Sequence, residues 1–212
     1  MIIQAAVGTP TPGQIDKFNH FILMNLELAS ECGVPTSVKV SSYGTPGVEI
    51  STMLLFSNWE EHGEKTDEMR AHSKWKEIMD FGGQSESFAQ PIDSYVANLL
   101  PGYDADAKFS DGPILATIWK PLPGKMGEML TTFMEGKSIH EPHGCKVRAF
   151  NIVGGRYAGC FAYNMSFADN KAYGSCMGSM AEDHTKLMAK IEANPNSEVV
   201  GQFKMDNPVL VG

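Results

Sequence analysis

Apolar positions along the chain follow two alternating periods. In Val48–Phe56, Val48, Ile50, Thr52, Leu54 and Phe56 alternate with Glu49, Ser51, Met53 and Leu55, the two-residue period of a strand. In Gln14–Glu31, by contrast, Ile15, Phe18, Ile22, Asn25 and Ala29 fall on one face at helical spacing. Extended over the first half, the pattern predicts strand Ile2–Val7, helix Gln14–Glu31, strands Ser37–Tyr43 and Val48–Phe56, a helix over about Trp59–Met79, and strand Phe88–Leu99. The same order then returns. Strand Ile114–Trp119 precedes helix Lys125–Glu141, which brings Met126, Met129, Phe133 and His140 onto one face. Strands Lys146–Val153 and Gly159–Phe167, helix Asn170–Ile191 and strand Val199–Met205 follow. Each half's first helix starts after a Pro-Gly turn and stops at a glycine, Gly33 or Gly144, where left-handed C-terminal geometry costs least.

The recurrence has a fixed displacement of 111 residues, so the chain reads as an internal repeat. Pro10 maps to Pro121, Pro12-Gly13 to Pro123-Gly124, Gly33 to Gly144, Gly44 to Gly155, Phe56 to Phe167 and Met69 to Met180. The Gly and Pro matches fall at element boundaries, where backbone geometry selects the residue. Strand–helix–strand–strand–helix–strand is a ferredoxin-like plan. The expected class is therefore α+β, with half 1 over 1–100, a polar connector over 101–112 and half 2 over 113–212. One such half covers only one face of its sheet with helices, and the second half is expected to cover the other.

The segment Phe56-Ser57-Asn58-Trp59-Glu60-Glu61-His62, followed by Met69-Arg70-Ala71-His72-Ser73-Lys74-Trp75-Lys76-Glu77-Ile78, resembles the dimeric α+β barrel superfamily. It is similar to antibiotic-biosynthesis-monooxygenase-like and NIPSNAP-like domains. A degraded copy runs from Phe167-Ala168-Asp169 to Glu182-Asp183-His184-Thr185-Lys186-Leu187, with Asn170 in place of the Trp. The resemblance implies two ferredoxin-like repeats (βαββαβ) forming an intramolecular dimeric α+β barrel, a pseudodimer within one chain. It spans cofactor-free monooxygenases, haem-degrading enzymes, isomerases and cyclases, so the fold does not choose the activity.

Composition narrows the partners. The 212 residues carry 17 Lys+Arg against 25 Asp+Glu, a formal net charge of −8. That balance opposes nucleic-acid binding, which needs a basic stripe against phosphates. No apolar run approaches the ~20 residues that cross a bilayer, and the start lacks a basic-then-apolar leader, so a cytoplasmic protein is expected. Cys32, Cys145, Cys160 and Cys176 form no CxxC pair and read as reduced, small apolar fillers. A small-molecule ligand is the expected partner. A further homodimer through unpaired first- and last-strand edges is the remaining association.

Candidate chemistry follows from polar groups on apolar faces. His72 lies at a break in the Trp59–Met79 helix and is the candidate general base. Asn25 and Tyr43 are the candidates to orient a substrate, with Trp59 and Trp75 flooring an aromatic pocket. Tyr163, which replaces Thr52 of the first half, and Arg148, which replaces Ser37, are candidate anchors for an oxygen-rich molecule, together with His140. His62 is expected to be exposed. No cofactor is required by these residues; haem or a metal at His140 and His143 is the alternative. The resulting expectation is a small-molecule enzyme, a cofactor-independent monooxygenase of an aromatic or polyketide-like compound. Its competitor is a non-catalytic small-ligand or haem-binding protein.

Overall fold

Strand β5 (Ile114–Pro121) is buried on both faces over its first five residues. A strand apolar on both sides needs a cover on each, and the fold provides one of each kind. Residues 1–45, 47–83, 87–105 and 111–208 are described by a computed structural model. The first half runs β1 (Ile2–Pro10), α1 (Ile15–Glu31), β2 (Thr36–Tyr43), β3 (Ile50–Phe56), α2 (Trp59–Ala71), α3 (Ser73–Gly82) and β4 (Ala89–Leu99). The second runs β5, α4 (Met126–His140), a 3-10 turn at Glu141–His143, β6 (Lys146–Gly154), β7 (Phe161–Ser166), α5 (Asn170–Ser179), α6 (Ala181–Ala193) and β8 (Ser197–Asp206). Each half is thus a ferredoxin-like βαββαβ unit, its second helix broken in two.

The eight strands close into one antiparallel barrel in the order β1-β3-β2-β8-β5-β7-β6-β4. The halves join where β2 meets β8 and β4 meets β6. Closure leaves no open edge on β1 or β8, so the edge-pairing route to a homodimer expected from the sequence is not offered by this sheet.

Ladder registers repeat with the sequence displacement. Ile3 faces Leu55, and 111 positions on, Ile114 faces Ser166. Thr36 faces Leu54, and Val147 faces Met165. The bulges fall at Val7/Gly8 and Ile118/Trp119. The helix caps also correspond: Asn58 accepts from the Glu61 N–H and Asp169 from the Ala172 N–H, each holding a helix start. The displacement then shortens. Helix α2 has 13 residues and α5 has 10, so the break at His72 corresponds to Met180, 108 positions on. Asp183, which the uniform displacement pairs with His72, lies inside α6.

Helices α1 and α4 bury the expected faces except at their first turns. Phe18, Ile22 and Ala29 are buried, as are Met129, Phe133 and His140, while Ile15 and Met126 are exposed. One apolar cluster lies between the sheet and helices of the second half (Met129, Phe133, Tyr163, Cys176, Met180). Its counterpart in the first half is built from Ile2, Leu28, Cys32, Phe56 and Ile78. All four cysteines are buried free thiols. Among the described residues no helix is long and apolar enough to cross a membrane.

Candidate functional site

Period-two alternation puts Leu115, Thr117 and Trp119 of β5, and Tyr163 and Met165 of β7, on the helix-facing side of the second half's sheet. Between them and α4 and α6 lies a pocket with about 970 Å³ of empty space, counting its open mouth. Most of its wall is apolar: Phe133, Met177, Met180, Leu187, Met188 and Ile191. Gly136 opens the α4 side, where a Cβ would sit 3.1 Å from the Tyr163 hydroxyl.

Into this apolar space projects a connected set of polar groups. His140, in the last turn of α4, is 4% exposed. Its Nδ1 lies 2.9 Å from the Tyr163 hydroxyl and its Nε2 lies 3.2 Å from His184 Nδ1. The Cys145 thiol donates to the His140 carbonyl at 3.3 Å, tying down the same turn. Burial, with His184 and His143 nearby, pulls the His140 imidazole down to about 4, so it is neutral at physiological pH. Burial also lowers His184 and raises the Tyr163 phenol above its ordinary value. A neutral imidazole donates from one nitrogen and accepts at the other. One consistent assignment has Tyr163 O–H donating to His140 Nδ1 and His140 Nε2–H donating to His184 Nδ1.

The mouth includes a residue from the other half. Tyr43, at the end of β2, lines the pocket and shares a 2.6 Å hydrogen bond between its hydroxyl and that of Tyr173 on α5. Gly44 lets the hairpin press this close to β8: its φ is +93°, and a Cβ there would lie 1.9 Å from the Gln202 carbonyl. Only glycine adopts that conformation cheaply and also fits the contact.

Of the eight residues singled out from the sequence, the structure brings Tyr43, Tyr163 and His140 to this pocket. Arg148, expected beside Tyr163, points the other way. Its ladder partner is Asn164, while Tyr163 pairs with Ala149, so alternation sends Arg148 into the barrel interior. Asn25, His72, Trp59 and Trp75 line neither this pocket nor the barrel interior. Asn25 donates to the Phe21 carbonyl one turn back, at 2.7 Å. His72 is the N-cap of α3, accepting from the Lys74 N–H, with Nε2 3.3 Å from Glu31. Trp75 packs on the first half's cluster and Trp59 is half exposed. His62, expected to be exposed, is partly buried against Phe56 and Trp59 and meets Gln4 at 2.8 Å.

Sequence reasoning missed His184, Thr117 and Gln202, which also line the pocket, the Gln202 amide donating to the Thr117 hydroxyl at 3.1 Å. A signal existed for the first: His184, Leu187, Met188 and Ile191 share one helical stripe. Haem does not fit the residues present at His140. Both of its ring nitrogens are committed, and among the described residues no Lys or Arg lines the pocket to meet propionates. His143 turns elsewhere, to the Ser179 hydroxyl at 3.0 Å and toward Asp183. Among the described residues no group of three or more His, Cys, Asp or Glu side chains is assembled for a metal ion.

No family model and no curated protein sequence matches the chain. Solved structures do. A supposed monooxygenase from Fusobacterium nucleatum subsp. nucleatum ATCC 25586 superposes with a TM-score of 0.60 at 10% identity, over 99% of this chain and 93% of that one. An anthrone oxidase-like protein gives 0.56 at 12% identity, over 96% and 91%. A chlorite dismutase mutant from Candidatus Nitrospira defluvii gives 0.55 at 6% identity, over 98% and 91%. The chain therefore has the ferredoxin-like α+β barrel fold that these structures share, at identities that carry the fold alone.

Proposed function

We propose that this chain is a small-molecule enzyme whose working site is the helix-side pocket of the second half. There it oxidises an aromatic or polyketide-like compound with molecular oxygen and no cofactor. The observation that carries the reading is the Tyr163–His140–His184 chain, set in a mostly apolar pocket with its Tyr163–His140 end buried. Buried polar networks of this kind are costly unless fully connected. The likeness to an anthrone oxidase-like protein supports the same substrate class.

The chemistry follows from the proton positions. Burial makes a free tyrosinate at Tyr163 and an imidazolium at His140 both unfavourable. A proton leaving an acidic substrate C–H or O–H is therefore received by the Tyr163 oxygen while Tyr163's own proton passes to His140 Nδ1. The His140 Nε2 proton passes in turn to His184 Nδ1. Charge then rests on His184, the less enclosed end of the chain. The substrate carbanion passes an electron to O2, the two radicals join in a carbon–oxygen bond, and the peroxide anion takes the proton back from His184 through the same chain to become a hydroperoxide. For an anthrone, loss of water from the hydroperoxide leaves a carbonyl: the CH2 loses two hydrogens, and the two oxygen atoms end in the new C=O and in water. Tyr43 closes the mouth, and the apolar walls keep the carbanion from water. His140 and Tyr163 thus take the proton-transfer role that the sequence suggested for His72.

The test is anthraquinone formation from anthrone in air. Tyr163→Phe and His140→Gln are each expected to lower turnover by about 10²–10⁴-fold, the range of positioned acid–base groups. Unchanged turnover in both would leave the pocket a binding site. We also read the two halves as duplicated copies of one unit, supported by the shared ladder displacement and caps.

A further inference from the structure

The second half's sheet has a cavity on each face. Tyr163 and Met165 look toward the helices; their chain neighbours Ala162, Asn164 and Ser166 look into the barrel. There a second cavity, with about 1150 Å³ of empty space counting its mouth, is lined by residues from all eight strands. A barrel of eight strands is just wide enough to be filled by side chains or to hold one small ligand. Small inward residues keep this one open: Ala97, Ala116, Ala162, Ser41 and Ser51. Much of the remaining wall is aliphatic or aromatic, including Ile118, Phe150, Ile152 and Phe203.

Three polar features stand out against that wall, the first being Arg148 of β6, opposite Asn164 in the ladder. At the mouth, Arg156 sits between two carboxylates, 4.0 Å from Glu49 and 3.7 Å from Asp93. Farther along β7, Asn164 Oδ1 is shut off from solvent and has no hydrogen-bond partner. A buried acceptor left unmatched costs about 1–3 kcal/mol, so this oxygen is a group suited to a donor. A carboxylate ligand would bring acceptors to an acceptor; Arg148, the guanidinium that faces the cavity opposite Asn164, is already engaged, and Arg156 at the mouth is matched by two carboxylates. An ammonium would have to shed its water into an apolar wall. A hydroxyl meets neither difficulty. It also serves Asn164 whichever way the amide is turned, because it donates and accepts.

We propose that the barrel interior is a second ligand site, separate from the helix-side pocket, for an elongated and mostly apolar alcohol whose hydroxyl binds Asn164. The test is a titration of the full chain with 1-octanol, read by NMR of ¹³C-methyl methionine. Met53 and Met205 line the barrel interior, whereas Met177, Met180 and Met188 line the helix-side pocket, so the methyls report which cavity fills. Saturable shifts at Met53 and Met205 are expected, with sodium octanoate giving none. Asn164→Leu, close in size, should weaken octanol at least tenfold, and Ala116→Phe should abolish the shifts by filling the space. Gly136→Leu, which fills the helix-side pocket, should leave them intact. Should Ala116→Phe fail to fold, Asn164→Leu decides alone. Shifts confined to Met177, Met180 and Met188, no saturable shift at all, or unchanged octanol affinity in Asn164→Leu would each overturn the proposal. None of these outcomes depends on turnover in the other pocket.

Discussion

At the residue scale, His140 ties stability to pH through its proton. Its two nitrogens are engaged and its side chain is nearly sealed, so the folded chain resists protonating it until about pH 4. An unfolded histidine takes its proton near pH 6.5. Between those values the unfolded state binds more protons, and stability falls as pH falls through the window. The expected loss is on the order of 2–3 kcal/mol by pH 4.5. Urea unfolding at pH 7.5, 6.0 and 5.0 should show this slope, and His140→Gln should flatten it; equal slopes would remove His140 as the cause. The residue was legible in the sequence as a polar group on the apolar face of its helix. Its partner was harder to read. The uniform displacement compared His184 with the neighbourhood of His72, but the three-residue shortening of α5 moves the helix break to Met180 and places His184 at the end of the first turn of α6.

At the element scale, two glycines govern the pocket for opposite reasons. Gly136 is small where α4 passes the Tyr163 hydroxyl, in helical geometry that any residue adopts. Gly136→Leu should therefore keep the fold and lose ligand uptake, measured as unchanged circular dichroism beside absent binding of an anthrone. Gly44 holds a left-handed turn against the β8 backbone, which cannot yield as a flexible side chain would. Gly44→Ala should cost more than about 2 kcal/mol, a fall in Tm of roughly 4–8 °C for a chain of this size. It should also part Tyr43 from Tyr173, detectable as loss of the pairing between their ring signals in NMR. Periodicity found these elements because each is amphipathic in its own right. It did not place the first helical turns, where Ile15 and Met126 extend past the sheet and stay exposed.

At the scale of the whole molecule, the barrel makes each half the other's cover. Separated, residues 1–105 and 111–212 would each expose β2 or β8 and β4 or β6 edges, together with a sheet face that now lines the interior. Each alone should aggregate or self-associate, and co-refolding should recover a species with the elution volume of the intact chain. Two independently folded monomers would refute this dependence. The pocket shares it: Tyr43, from the first half, forms part of the second half's site.

The order of elements, the helix caps and the buried helix faces are properties of short stretches of chain. Local periodicity, Gly and Pro placement and capping side chains specify them without reference to distant residues, so the sequence by itself determined them. Which polar residues share a cavity was decided only by the tertiary structure. Strand register sends Arg148 inward while Tyr163 faces the helices, and barrel closure brings Tyr43 to the other half's pocket. Those outcomes depend on pairing across residues far apart in the chain, and a one-residue difference in register reverses the face to which a side chain belongs.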